Sequence, residues 1–475
     1  MSTHPSAVPV RAMLVLGTRP EAIKLAPVAR AMAASPQFEP LVVTTGQHRE
    51  MLHQMLGMLC VDVRIALDVM RSRQQLSDLT ARLVRELGEA MREQRPDLVV
   101  VQGDTTTALA GALAAFYEKI PVAHVEAGLR TGVIDNPFPE ELNRSLIGRI
   151  ARWHFAPTPA AARHLTDEGV PEEQVFTTGN TVIDNLLWVL AQGTGSSVFR
   201  TGARACPADQ AGCDAQCLVT DPSGVWCVQL QGGEDVDISR SRGGRRGAMG
   251  APPARAKSSV GESDDNAAEG APSGGARARA RDAGMIRRGG PKRILVTLHR
   301  RENQGERMRG MGRALTRLAR RGDVEIVLPL HKSPAVRDVL LPELDGHEGI
   351  SLVEPLGYLD FAATLAECDL VLTDSGGIQE EAPSLSKPAL VLRTTTERPE
   401  AVEVGAAQLV GTDPDAIVTW AERLLDDPAE YRRMARAGNP FGDGTAARRI
   451  LAQLAEDFAA DVPVGLTASG PYSTA

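Results

Sequence analysis

The chain has 475 residues, of which 43% are apolar, 24% charged and 4% aromatic. That length predicts two or three domains, and the composition excludes collagen-like, coiled-coil and wholly disordered proteins. A formal charge of −8 and few aromatics argue against a nucleic-acid partner, which needs a basic face to displace counterions and rings for stacking. Any phosphate site must therefore be local. Six cysteines do not make a disulfide framework for a chain this long, and a reducing, cytoplasmic location is expected.

The opening apolar run, residues 12–16, is short and lacks a cleavage pattern, so it predicts a strand rather than a secretion signal. No stretch reaches the roughly 18 apolar residues of a membrane span, and no membrane association is expected. Strand-like runs then alternate with helical periodicity: AMLVLG (12–17), PEAIKLAPVARAMAA (20–34), EPLVVTTG (39–46), PDLVVVQG (96–103), TTALAGALAAFYEK (106–119) and PVAHVEAG (121–128). Strands apolar on both faces predict a parallel sheet covered by helices, here an N-terminal α/β domain over 1–191.

Residues 192–291 differ in kind. Over 231–290, 13 of 60 residues are Gly and none is aromatic. Such a segment cannot bury enough apolar surface to offset chain entropy, which predicts a disordered insert. A second α/β series occupies 292–438: RILVTLHR (293–300), VEIVLPLH (324–331), ISLVEPL (350–356), DLVLTDSGG (369–377) and PALVLRTTT (388–396). Two such Rossmann-like domains imply a cleft between them. Two amphipathic helices close the series, DPAEYRRMARAG (427–438) and GTAARRILAQLAEDFA (444–459), the second within 439–460 and followed by a flexible tail at 461–475.

Four sets of residues carry chemistry. In GTRPEAIK (17–24), Gly17 ends a strand and Pro20 suits a first helical turn, so backbone amides with Arg19 and Lys24 make an anion site; the alternative is solvated charge around an ordinary turn. In TDSGGIQEE (373–381), Gly376 and Gly377 let a diphosphate approach the backbone beside Ser375. Glu380 and Glu381, one turn on, suit neutral ribose hydroxyls; the alternative is a plain capped helix. Arg393 and Arg398 follow the next strand and can close over the same anion. Asp104, Glu126 and Glu140, beside Glu141, stand at loop ends of one sheet and can supply paired acid–base groups, unless Asp104 caps the helix near Thr106 and Glu140 is an exposed first-turn acid. His299 ends a strand of the second half and can donate to a departing phosphate, or satisfy a structural hydrogen bond.

Other motifs are absent or accidental. No P-loop occurs. Gly442, Gly444 and Ala447 match a dinucleotide pattern without a preceding strand, so no nicotinamide site is expected. Cys206, Cys213, Cys217 and Cys227 lack paired zinc-ligand spacing.

The motifs GTRPEAIKLAPV (17–28), TGQHREML (45–52), QGDTTTALAGALAAF (102–116), HVEAGLRTG (124–132), FPEELNR (138–144), GNTVID (179–184), HRREN (299–303) and DSGGIQEEAPSLSKP (374–388) together resemble the non-hydrolysing UDP-N-acetylglucosamine 2-epimerases. The resemblance spans everything except the insert. It implies a glycosyltransferase-B-type fold with the nucleotide on the second domain, the sugar in the cleft, and the last helix returning to the first domain. It also implies reversible elimination of UDP to 2-acetamidoglucal and re-addition with inversion at C2, without cofactor or metal. By the same resemblance Arg19, Lys24 and His299 serve the diphosphate, and Asp104, Glu126 and Glu140 the C2 proton and cationic sugar. Ser375, Gly376 and Gly377 bind phosphate, Glu381 the ribose, and Arg398 the diphosphate or nucleotide. Which carboxylate is the base is left open.

Some members bind a second UDP-N-acetylglucosamine as activator, at positions matching Gln47, His48, Arg73, Gln74, Arg300 and His331. A homodimer is likewise implied. Departures from the family pattern are Leu298 before the histidine, Lys332 and Ser333 after His331, and Ser386 in place of a common glycine. Competing readings are a hydrolysing epimerase that releases UDP and N-acetylmannosamine, a glycosyltransferase, and a catalytically silent nucleotide-sugar sensor.

Overall fold

The computed structural model describes residues 8–46, 49–71, 74–193, 195–200, 218–221, 224–227 and 290–459. The chain forms two units, one from residues 1–204 and 282–475, the other from 205–281. The first half of the larger unit carries β1 (Val10–Leu16), α1 (Arg19–Ala33), β2 (Phe38–Thr44), α2 (Arg49–Met58), β3 (Ile65–Ala66), α3 (Leu76–Gln94), β4 (Leu98–Gln102) and α4 (Thr106–Tyr117). It continues with β5 (Val122–Val125), α5 (Glu140–Ile150), β6 (Trp153–Ala156), α6 (Pro159–Asp167), β7 (Val175–Thr177) and α7 (Thr181–Gln192). The strands form one sheet in the order β3-β2-β1-β4-β5-β6-β7, and every pair in it is parallel.

The continuous apolar runs follow from this layering. Leu14, Leu16, Leu98 and Val100 pack with Leu25 and Met32 of α1 and Leu186 of α7 on one face. Met13, Val15, Val99 and Val101 pack with Leu83 and Leu87 of α3 and Ala112 of α4 on the other. Because side chains alternate across a strand, a sheet covered on both faces needs apolar residues at every position.

In the 205–281 unit the structure describes an antiparallel pair, β8 (Leu218–Asp221) and β9 (Gly224–Cys227). The rest of the predicted insert up to residue 289, the cysteines at 206, 213 and 217, and the tail at 461–475 lie outside the described residues. Residues 195–200, which composition assigns to the insert, pack instead on the second half. Phe199 is buried with Leu295, Val371 and Ala389, Ser196 N donates to Asp360 Oδ1 at 2.9 Å, and Arg293 Nη2 donates to Phe199 O at 3.1 Å.

That second half repeats the design. It comprises β10 (Lys292–Thr297), α8 (Glu306–Ala319), β11 (Val324–Pro329), α9 (Pro334–Leu344), β12 (Ile350–Val353), α10 (Tyr358–Glu367), β13 (Leu370–Thr373) and α11 (Gly376–Glu381). Then follow β14 (Ala389–Val391), α12 (Pro399–Glu403), β15 (Ala407–Leu409), α13 (Pro414–Asp426), α14 (Pro428–Ala435) and α15 (Ala446–Ala459). The sheet runs β12-β11-β10-β13-β14-β15, again parallel. The last helix leaves this half: Ile450 and Leu454 join Leu25, Met32 and Leu186, while Asp184 accepts from Ala446 N at 3.2 Å and Ala447 N at 2.8 Å. Among the described residues no helix is long and apolar enough to cross a membrane.

Both sheets therefore have the doubly wound strand order in which ligands bind beyond the carboxyl ends, where neighbouring strands send their chains to opposite faces. Those points lie after β1 and β4 in one half and after β10 and β13 in the other.

Candidate active site

The turn after β1 is built by its own sequence. Thr18 and Glu21 form a capping box at the start of α1, and the fully buried Glu21 carboxylate also accepts from Gly17 N at 3.0 Å, Thr18 N at 2.7 Å and Thr105 Oγ1 at 2.6 Å. The last bond ties this turn to the turn after β4. Gly17 is required by close approach, since a Cβ there would lie 2.4 Å from Thr107 Oγ1 and 2.6 Å from Thr45 Oγ1. The amides of Gly17 and Thr18 are thus taken by Glu21 and not by a ligand, which leaves the side chains of Arg19 and Lys24 as the cationic groups of this turn. Arg19 is exposed.

Lys24, one turn further along α1, points to the other side of the turn. Its Nζ lies 2.5 Å from Glu126 Oε1. Glu126 follows β5 in the left-handed region, φ 62°, and is buried; Gln102 donates to its second oxygen and Asn180 Nδ2 to its first at 3.1 Å. Asn180 also donates to Glu380 Oε2 of α11 at 3.1 Å, and Glu380 accepts from Arg398 Nε through its other oxygen. A buried relay, Lys24–Glu126–Asn180–Glu380–Arg398, thus crosses from one half to the other. Burial disfavours the charge on Glu126, but Lys24, Arg398 and the bonds from Lys24 and Asn180 outweigh it and hold its carboxyl below the usual range. Burial likewise disfavours the Lys24 ammonium, and Glu126 and Glu380 overcome it to raise that pKa.

Asp104 is not the helix cap. Thr105 caps α4, accepting from Ala108 N at 3.0 Å. Asp104 instead meets Arg144 Nη2 at 2.6 Å, and its backbone carbonyl accepts from Asn143 Nδ2 at 2.8 Å. Burial raises its pKa, Arg144 opposes the rise, and Glu126 and Glu140 add to it. Glu140 is the half-buried first residue of α5. Its neighbour Glu141 is structural, accepting from Thr131 N at 3.0 Å and Gly132 N at 3.1 Å.

The second half supplies the remaining residues. After β13 the fully buried Asp374 accepts from His299 N at 3.1 Å, Arg300 N at 3.0 Å and Asn303 Nδ2 at 3.1 Å. It thereby fixes the loop after β10 against the start of α11. His299 Nε2 lies 3.8 Å from Asp374 Oδ1, with the His331 ring 6.0 Å away. Burial lowers the His299 pKa, Asp374 opposes, and Arg300, His331 and Arg393 lower it further; the ring is neutral at pH 7 and can donate one hydrogen. Ser375 caps α11. A Cβ on Gly377 would meet nothing within 4 Å and one on Gly376 only Arg300 Nη2 at 3.8 Å, so open space lies against this backbone.

At about 1.5 Å per residue, Gly376 stands roughly 6 Å along the helix from Glu380, placing the start of α11 beside the relay. Glu381 is buried with Tyr358 OH donating to its Oε1 at 3.4 Å. Burial, reinforced by Glu380, pushes its carboxyl up to about 8, against smaller opposing effects of Tyr358 and Lys24. Arg393 is committed to Glu302 at 2.7 Å and Glu397 at 2.5 Å, so of the two arginines Arg398 is the one on the relay.

Among the residues matched to an activator site, Gln47, His48 and Arg73 lie outside the described residues. Arg300 pairs with Glu397 at 3.2 Å, His331 Nδ1 accepts from Ser333 N at 3.1 Å, and Gln74 Oε1 accepts from Arg71 N at 3.1 Å and Arg82 Nη1 at 3.2 Å. Arg300 and His331 thus flank His299, whereas Gln74 engages its own loop and α3.

Comparison with known proteins fits this geometry. The family model described as UDP-N-acetylglucosamine 2-epimerase matches residues 30–204 and 271–455. The chain belongs to the UDP-N-acetylglucosamine 2-epimerase family. It is 40% identical over 446 residues to the UDP-N-acetylglucosamine 2-epimerase of Escherichia coli O157:H7, covering 94% of this chain and 98% of that one. The Bacillus subtilis UDP-N-acetylglucosamine 2-epimerase is 39% identical, with 94% and 95% covered. Among solved structures, the Neisseria meningitidis UDP-GlcNAc 2-epimerase bound to UDP-GlcNAc superposes with a TM-score of 0.69 at 34% identity, covering 94% of this chain and all of that one. The paired sheets are the glycosyltransferase-B-type architecture of these epimerases.

The sequence pattern did not assign roles to Glu21, Arg144, Asn180 or Asp374. Each lies inside one of its motifs. Glu21 carried the capping-box signal, and Asn180 reads as a helix cap, which it is, accepting from Val182 N at 3.1 Å. Their tertiary partners are 75 or more positions away for Glu21–Thr105, Asn180–Glu380 and Asp374–His299, and spacing holds no record of them.

Proposed function

We propose that this chain interconverts UDP-N-acetylglucosamine and UDP-N-acetylmannosamine without hydrolysis, by reversible loss of UDP across C1 and C2. The observation that carries the reading is the pair of half-buried Asp104 and buried Glu126, two carboxyls close enough to act on each other whose surroundings drive their proton affinities apart, Asp104 up and Glu126 down. Carboxylates separated in this way can divide acid and base roles at one carbon. The C2 hydrogen of the sugar has no adjacent carbonyl to acidify it, so elimination requires a positioned base and stabilised charge on both fragments.

In this reading Asp104 and Glu126, with Glu140 beside them, serve C2 and the cationic sugar. Ser375, Gly376, Gly377, His299, Arg19, Lys24 and Arg398 receive the diphosphate, and Glu381 the ribose. Arg300 and His331 flank the phosphate loop and suit a second nucleotide sugar there as activator. A cytoplasmic location and a homodimer complete the reading. Supporting the dimer, Phe138, Leu142 and Leu146 expose 68%, 40% and 43% of their surfaces on and beside one face of α5; Leu142→Arg should lower the mass seen in sedimentation if that face is the interface.

The deciding experiment is incubation with UDP-N-acetylglucosamine in deuterated water. Deuterium at C2 of both epimers, with little free UDP, is expected. Free UDP with N-acetylmannosamine would establish hydrolysis instead, and return of unlabelled substrate would refute the reading.

A further inference from the structure

Asn180 is an unusual group to find between two buried carboxylates. Its amide has two N–H donors, and the structure sends one to each: Glu126 Oε1 and Glu380 Oε2, both at 3.1 Å. Its carbonyl oxygen is committed to Val182 N, so this 2% exposed side chain has donors and acceptor all engaged. Glu126 and Asn180 belong to the first half, Glu380 and Arg398 to the second.

The backbone around Asn180 is equally constrained. Asn180 N donates to Phe441 O at 2.6 Å, and a Cβ on Gly179 would lie 3.1 Å from Gly442 Cα. The same crossing segment holds Glu380, since Asn439 Nδ2 donates to Glu380 O at 2.8 Å. Asn180 and Glu380 are therefore both clamped on the chain that passes from the second half back to the first. The Glu126–Asn180–Glu380 bridge spans the two halves, so movement of one half against the other loads it, and an Asn180 amide displaced from either carboxylate would change its grip on Glu126.

We propose that Asn180 is a positioning residue that couples the approach of the two halves to the aim and ionisation of Glu126. The proposal rests on the epimerase reading above and deepens it. The charged and titratable groups facing Glu126 are Lys24 from α1, Asp104 after β4, His124 in β5, and Glu380 and Arg398 from the second half. Asn180 is the uncharged member that can donate to both carboxylates at once. Losing its N–H leaves Glu126 with one fewer donor to its charged form, which raises the pH at which it ionises.

The test is Asn180→Ser. Serine retains a side-chain oxygen to cap α7 but has a single donor and cannot bridge. Expected are a thermal midpoint close to that of the parent chain, KM little changed, and kcat reduced roughly 10- to 100-fold, the range for misplaced reacting groups. The acid limb of the kcat–pH profile should move upward by about one unit, as loss of a hydrogen bond to a charged group implies. Asn180→Asp, which places a third carboxylate between the two, should be more severe than Asn180→Ser, with the acid limb shifted further. Parental kcat and an unshifted acid limb in Asn180→Ser would overturn the coupling, as would an equal fall in rate at every pH. If the parent chain itself yields no epimerisation, the failure belongs to the functional reading and not to Asn180.

Discussion

Replacing Glu381 with glutamine should abolish a pH dependence of folding that can be sized from the structure. The carboxyl is buried against Tyr358 and beside Glu380 and is pushed up to about 8; in the unfolded chain it ionises near its ordinary value of 4.5. Between those two values the folded state holds a proton that the unfolded state has released. Stability contributed by this group is therefore fully present below about pH 4.5, falls as pH rises, and levels off above about 8. At 1.36 kcal/mol per unit, the loss between about pH 5 and pH 8 is on the order of 4 kcal/mol.

Glutamine is a neutral isostere and has no such term. Urea unfolding of both chains at pH 5.5, 7 and 8.5 isolates the effect, because other titrating groups cancel in the difference. Glu381→Gln should be the more stable of the two by about 1 kcal/mol at pH 5.5 and by about 4–5 kcal/mol at pH 8.5. Parallel stability–pH curves would show that Glu381 ionises as an ordinary carboxylate and would refute the argument. Binding should follow suit: a protonated Glu381 can both donate to and accept from a neutral ribose, so UDP affinity measured calorimetrically should weaken in the parent as pH rises through 8 and be flatter in Glu381→Gln.

Asp104→Asn should reduce deuterium uptake at C2 by about 10²- to 10⁴-fold while UDP binding, followed by calorimetry, is largely retained; undiminished exchange would remove Asp104 from the reacting groups. Gly17→Ala should lower stability by about 1–3 kcal/mol in urea titrations, because the new methyl meets the hydroxyls of Thr107 and Thr45. Ser386→Gly should raise it by about 0.5–1 kcal/mol, since Ser386 adopts φ 56°, where a side chain costs about 1–2 kcal/mol and glycine's added entropy takes back part of the gain. Deleting 205–281, the smaller unit, with a short Gly-Ser join should leave turnover near that of the full chain. Extending the deletion back through 195–200 should lower the thermal midpoint, because it removes Phe199 from the core.

The sequence by itself determined the two sheets. Runs such as Leu98–Gln102, apolar at nearly every position, suit only a strand covered on both faces. Gly17 closing a strand and Pro20 opening a helix marked the first turn, and Gly376–Gly377 after a strand marked a backbone with open space against it. These signals are local, set by side-chain alternation and by backbone donors at helix starts. Even the unusual Ser386 was visible as a departure from a family glycine, although its left-handed backbone was not.

Only the tertiary structure decided how the charges are paired. Sequence could place Arg19 and Lys24 on one turn, but not send Lys24 to Glu126, 102 positions away, or give the turn's amides to Glu21. It could cap a helix with Asn180, but not bring Glu380 to the same amide from the other half. It could offer Asp104 as a cap or an acid, but not foresee that Thr105 caps α4 while Asp104 turns to Arg144. Hydrogen bonds and desolvation act over a few ångströms, and which groups stand that close depends on how the two sheets are set against each other.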